Sequence, residues 1–134
     1  MVETKTIDIH LSIEINNGGV IADVNFINNT SSIIYLDSWT ICEDSVVRSN
    51  IFSIVDENNK HAFYLGPIIN RKVLSEDFIA LDPGESIKSK IIINKDYELV
   101  KGHTYKIRFC ASNPTFVDKQ SRLDLLSNEV EITY

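Results

Sequence analysis

The chain has 134 residues, with 13 Lys and Arg against 19 Asp and Glu, a net charge of −6 and a pI near 5.0. That length fits a single domain, 1–134, which buries roughly two thirds of its unfolded surface around one core. The acidic balance and the lack of any basic run exclude non-specific attraction to nucleic acid or anionic lipid, and no apolar run approaches the roughly 20 residues of a membrane helix.

Met1-Val2-Glu3-Thr4-Lys5 lacks the sections of a secretory signal, which makes the product cytosolic if Met1 is native and secreted if the chain has been trimmed. Ile7, Ile9, Leu11, Ile13 and Ile15 then occupy every other place, a strand with one apolar and one wet face. Asn16-Asn17-Gly18-Gly19 tolerates positive φ, and Val20, Ala22, Val24 and Phe26 resume the alternation, so the first two strands should form a hairpin. Asn28-Asn29-Thr30-Ser31-Ser32 contains two overlapping glycosylation sequons but reads as turn chemistry. Ile33 to Leu36 is a short strand leading to Trp39, which is expected in the core, and Ile41.

Ile51–Val55 and His61–Tyr64 flank Asp56-Glu57-Asn58-Asn59-Lys60 and predict a second hairpin. The turn lacks the ligand alternation, central Gly and distal Glu of a calcium loop. A long arm from Gly66 to Asp77 follows, then a strand from Phe78 to Leu81 and the tight turn Asp82-Pro83-Gly84-Glu85. Ile87, Ser89, Ile91 and Ile93 share one face of the next strand, Tyr97 and Leu99 lie in a connection, and Tyr105, Ile107 and Phe109 alternate with Lys106 and Arg108. Asp118 to Leu126 is expected to hold a single helical turn carried by Leu123, Leu125 and Leu126, before a last strand with Val130, Ile132 and Tyr134 on one side. Eight or nine short strands with frequent turn signals make an all-β, immunoglobulin-like antiparallel β-sandwich.

Residues that could carry chemistry are scattered. His10, His61 and His103 are isolated, no serine stands in a nucleophile elbow, and the five glycines form no phosphate cradle. Cys42 and Cys110 are too few for a disulfide framework or a thiolate metal site and read as buried unpaired thiols; a bond between them would close most of the domain and add about 4 kcal/mol. No catalytic residue, metal or cofactor is expected. What remains is loop surface: 66–77, with Ile68, Ile69, Arg71 and Lys72, and 111–127, with Pro114, Phe116 and Val117. Apolar residues in the arm either face a partner or, as Ile68, Ile69 and Val73 could, close an open edge of the sandwich.

Tyr64-Leu65-Gly66-Pro67, Arg71, Asp77-Phe78, Leu81-Asp82-Pro83-Gly84-Glu85-Ser86 and Gly102-His103-Thr104-Tyr105, with Asn28-Asn29-Thr30 and Trp39 upstream, follow one another in an order that resembles the immunoglobulin-like pro-region of deuterolysin-type and peptidyl-Lys zinc metalloendopeptidases. The likeness covers about residues 7 to 110; a weaker one, on the same turns, is to bacterial immunoglobulin-like proteinase inhibitors. No His-Glu-x-x-His helix follows, so the resemblance implies a domain that covers or escorts a peptidase and has no peptidase chemistry of its own. The expectation is therefore a non-enzymatic protein-binding domain, an inhibitor or pro-region-like partner of a peptidase, with contacts at Gly66, Pro67, Ile68, Ile69 and Arg71. The alternative is a structural or adhesive module that self-associates or binds another protein through its sheet edges. An enzyme or small-ligand carrier is a third class and would need a deep pocket with converging polar groups.

Overall fold

Alternating polarity becomes nine antiparallel strands in a computed structural model that describes residues 7–114 and 122–134. Strand β1 (Asp8–Asn16) pairs with β2 (Gly19–Ile27), and the two-residue turn between them places Asn17 and Gly18 at φ of 52° and 80°, the left-handed pair that matches the twist of a hairpin. Every second residue of β2 from Val20 to Phe26 is fully buried. On the far side of β2 lies β6 (Ser86–Ile92), completing a three-stranded sheet.

The facing layer is built on β7 (Thr104–Asn113), which pairs with β4 (Phe52–Asp56) on one side. Its other side takes β9 (Val130–Thr133) along Thr104–Ile107 and β8 (Leu123–Leu126) along Cys110–Asn113. Strands β3 (Ile34–Asp37) and β5 (Phe78–Leu81) form a separate ribbon. The layers meet where Phe26 of β2 and Phe52 of β4 both stand edge-on to Phe109 of β7, at ring-centroid distances of 5.4 and 5.7 Å. Ile9, Val24 and Ile107 all point into this core, which makes the all-β sandwich architecture plain.

Side-chain amides join the pieces. Asn113, fully buried at the end of β7, accepts the Asp37 N–H at 2.8 Å and donates to the Tyr35 carbonyl at 3.0 Å, as a neighbouring strand would. Asn128, between β8 and β9, does the same for Leu11 of β1, accepting at 2.7 Å and donating at 3.0 Å. Asn28, also fully buried, donates to the carbonyls of Ser32 and Leu81, and its backbone holds the 82–85 turn through bonds with Gly84 and Glu85. The amide of this sequon is consumed as a structural brace.

Four local expectations differ from what is seen. Leu123, Leu125 and Leu126 form strand β8 in place of a helical turn; Leu123 and Leu125 face inward while Asp124 and Leu126 face out, so pairing with β7 imposes a period of two. Residues 118–121 of that expected turn, and Phe116 and Val117, lie outside the described residues. His61–Tyr64 makes only isolated bridges, Val55 with His61 and Tyr64 with Tyr97, so the second hairpin reduces to a covered turn. Cys110 is exposed, because it falls between Phe109 and the next inward position of β7, whereas Cys42 is buried. Trp39 sits half-buried beneath the arm, outside the main core. A short helix α1 (Ile93–Asp96), not anticipated, turns the chain after β6 so that Ile93 and Tyr97 both reach the core.

Two measurements follow from this packing. Asn113→Ala removes the bond to the Tyr35 carbonyl and takes from the buried Asp37 N–H its acceptor, and should destabilise the domain by about 2–4 kcal/mol in urea unfolding. Burial pushes the Cys42 thiol up to about 12. In the native protein at neutral pH, a thiol reagent should therefore modify Cys110 alone, and in denaturant both.

Candidate functional site

The longest irregular stretch joins β4 to β5 and includes the 66–77 arm. It is tied down at short intervals. Its backbone bonds run from Glu98 N–H to the Phe63 carbonyl at 2.9 Å, from Leu65 N–H to the Asp96 carbonyl at 2.7 Å and from Ile69 N–H to the Arg48 carbonyl at 3.1 Å.

Near its start the arm is anchored by aromatic rings. Tyr64 packs on Tyr97 at 5.1 Å, and Tyr97 stands edge-on to Phe52 at 5.9 Å, continuing the row from Phe109 and Phe26. The Tyr97 hydroxyl accepts the N–H groups of Ile51 and Phe52 at 2.9 and 3.0 Å and donates to Asn50 Oδ1 at 2.7 Å, closing the end of the β4 edge. Burial raises this phenol to about 12, so it stays protonated and able to donate. The Tyr64 hydroxyl donates to the Pro67 carbonyl. Gly66 lies under the Tyr64 ring: a Cβ there would come within 2.8 Å of two ring carbons, so a larger residue would push the ring aside.

Further along, a charged anchor replaces the aromatic one. Asp37 is fully buried; its carboxylate accepts the Thr40 hydroxyl at 2.6 Å and is ion-paired with Arg71. Arg71 also reaches Asp77 at 3.0 Å, and its guanidinium lies 4.4 Å from the centre of the Trp39 ring. Arg48 lies over the same ring at 4.6 Å and pairs with Asp44, whose carboxyl it holds below its ordinary value. Asp77 in turn accepts the Leu74 N–H at 2.9 Å. A buried carboxylate requires such a partner, so Arg71 acts here as the clamp of the arm.

Between these anchors the arm turns its apolar side chains outward. Ile68 is 76% exposed, Phe63 72% and Leu65 66%, with Ile69, Val73 and Leu74 also exposed. Ile68, Ile69 and Val73 therefore do not seal an edge of the sandwich. Of the residues expected to touch a partner, Pro67, Ile68 and Ile69 are at the surface, Gly66 is half-covered by Tyr64, and the Arg71 guanidinium is taken up within the chain.

Two other places gather polar groups. The outer face of the three-stranded sheet has a hollow of about 500 Å³ lined by His10, Ser12, Asp23, Asn25 and Lys88, where Asn25 Oδ1 has no hydrogen-bond partner among the described residues. At the opposite layer, Asp56, Glu57 and His103 come together at the β4 turn and the entry to β7. Asp37, Tyr97 and this last trio were not anticipated; their partners lie 34 to 47 positions away in sequence, beyond any local motif. The chain matches no protein-family model, and no curated protein matches it.

Arg71→Ala strands the Asp37 carboxylate and should cost about 3 kcal/mol. Limited proteolysis should then cut the 66–77 arm faster than in the native protein, and urea unfolding gives the energy.

Proposed function

We propose that the chain is a non-enzymatic, immunoglobulin-like protein-binding domain whose contact surface is the arm from Phe63 to Leu74. One observation carries this reading: the most exposed large apolar side chains among the described residues, Ile68, Phe63 and Leu65, sit on backbone tied to the sandwich by hydrogen bonds, packed aromatic rings and a buried ion pair. Several large apolar side chains left exposed along one short segment are what a partner-binding surface offers. An arm already fixed loses little conformational entropy when a partner covers it, so more of the buried apolar area is expressed as affinity. Gly66 and Pro67 shape the arm, Ile68 and Ile69 with Phe63 and Leu65 supply the contact, and Arg71 holds it in place.

A peptidase is the partner class to try first, because the order of Tyr64-Leu65-Gly66-Pro67, Asp77-Phe78 and Leu81-Asp82-Pro83-Gly84-Glu85-Ser86 resembles that of the metalloendopeptidase pro-regions. In this role the sandwich would present the arm to the peptidase surface and block or escort it.

The test uses a panel of secreted metallopeptidases and serine peptidases, read by inhibition and by calorimetric titration. A complex is expected with at least one, and Ile68→Asp combined with Phe63→Ser should weaken it by about tenfold or more without lowering the melting temperature. No complex across the panel removes the peptidase; a complex indifferent to the double substitution removes the arm.

A further inference from the structure

Asp56 ends β4, Glu57 begins the turn after it, and His103 precedes β7. One donor atom from each lies within 4.8 Å of the other two. The backbone holds them there: Asp56 is paired with Tyr105 in the β4–β7 ladder, while its Oδ1 accepts the N–H groups of Asn58 at 2.8 Å and Lys60 at 3.0 Å. Glu57 reaches across with both oxygens, Oε1 to His103 Nδ1 at 2.7 Å and Oε2 to the Thr104 N–H at 3.3 Å. Backbone N–H groups, chiefly that of Lys60 for Asp56 and its own for Glu57, hold both carboxyls below their ordinary values. Beside the trio is a hollow of about 260 Å³ lined by Asp56, Glu57, Thr104, Lys106 and Glu131, with room for the waters that would complete a coordination shell.

We propose that Asp56, Glu57 and His103 form a binding site for a divalent transition-metal ion of the zinc type. Two carboxylate oxygens and one imidazole nitrogen are a donor set such ions accept, with water completing the shell. Calcium prefers six to eight oxygens and gains little from an imidazole. The two carboxylates carry negative charge that a divalent ion offsets, and the ion would replace the proton held between Glu57 Oε1 and His103 Nδ1. Donors taken from two segments 46 residues apart in sequence make the site a product of the fold. The ion would join the β4 turn to the β7 entry through donors that are none of the side chains proposed for partner contact, so the site stands independently of the protein-binding reading.

Zinc is the probe, titrated calorimetrically into the full chain at pH 7. One ion per chain is expected, with affinity falling in acid as protons compete for the donor atoms. His103→Asn and Glu57→Gln should each weaken binding by about tenfold or more, while His10→Asn, on the outer face of β1, should leave it unchanged, and calcium should give no comparable binding. All three side chains are exposed or half-exposed, so the variants keep the fold, which circular dichroism checks. In wild-type protein, zinc should shift the amide resonances of Glu57 and Thr104 first. Lack of saturable binding, binding unaltered by His103→Asn, or shifts centred elsewhere would overturn the site.

Discussion

The domain rests on side-chain amides that take the place of missing strands. A sheet edge presents a row of N–H and carbonyl groups that must find partners once water is excluded. Asn113 supplies a donor and an acceptor to β3, and Asn128 supplies both to β1. Each amide reproduces one rung of a ladder across a gap that no backbone fills. Asparagine suits this because its carboxamide has the same donor and acceptor geometry as a peptide unit on a short, stiff stem. Asn94 treats the first hairpin in the same way, accepting the Val20 N–H at 3.0 Å and donating to the Gly18 carbonyl at 2.8 Å.

With the layers joined, the arm inherits its rigidity from two unlike devices. One is apolar: a row of rings from Phe26 through Phe109, Phe52 and Tyr97 to Tyr64 links the centre of the core to the start of the arm. The other is ionic, with a wholly buried carboxylate at Asp37 that is tolerable only while Arg71 faces it. Apolar packing could have held the second point more cheaply, but a buried carboxylate with a single guanidinium partner fixes one register of the arm and penalises every other. Specificity of shape, more than stability, is what such a pair provides.

Much of the architecture was legible because burial on one face forces a period of two. Val20, Ala22, Val24 and Phe26 announce β2 by spacing alone, and the Asn17-Gly18 turn follows from the residues that accept positive φ. Where burial was decided by distant contacts, spacing was mute. Leu123, Leu125 and Leu126 have helical propensity, yet the free side of β7 claims them as a strand. Trp39 reads as core from its size, although its place is against two guanidiniums contributed from positions 48 and 71. The arm was visible as a long connection carrying Ile68 and Ile69, and Gly66 as part of the Tyr64–Pro67 stretch, whereas its orientation depends on Asp37 and Tyr97, neither of which belongs to a local pattern.

The same amides bear on the surface proposed for partner contact. Recognition through a sheet edge needs several successive open backbone groups, since each contributes only about 1 kcal/mol net. On β1 the middle of the outward edge is occupied by Asn128, on β3 Asn113 takes Tyr35 and Asp37, and on β4 the Tyr97 hydroxyl and the 60–62 segment take Ile51, Phe52, Ile54 and Asp56. These edges are interrupted, so an incoming strand would have to displace satisfied bonds before making its own. The arm imposes no such exchange: Phe63, Leu65 and Ile68 already face water, and covering them gains roughly 25 cal/mol for each Å² removed from it. For the proposed contact, the balance of polar and apolar terms thus favours side chains of the arm over pairing at these three edges.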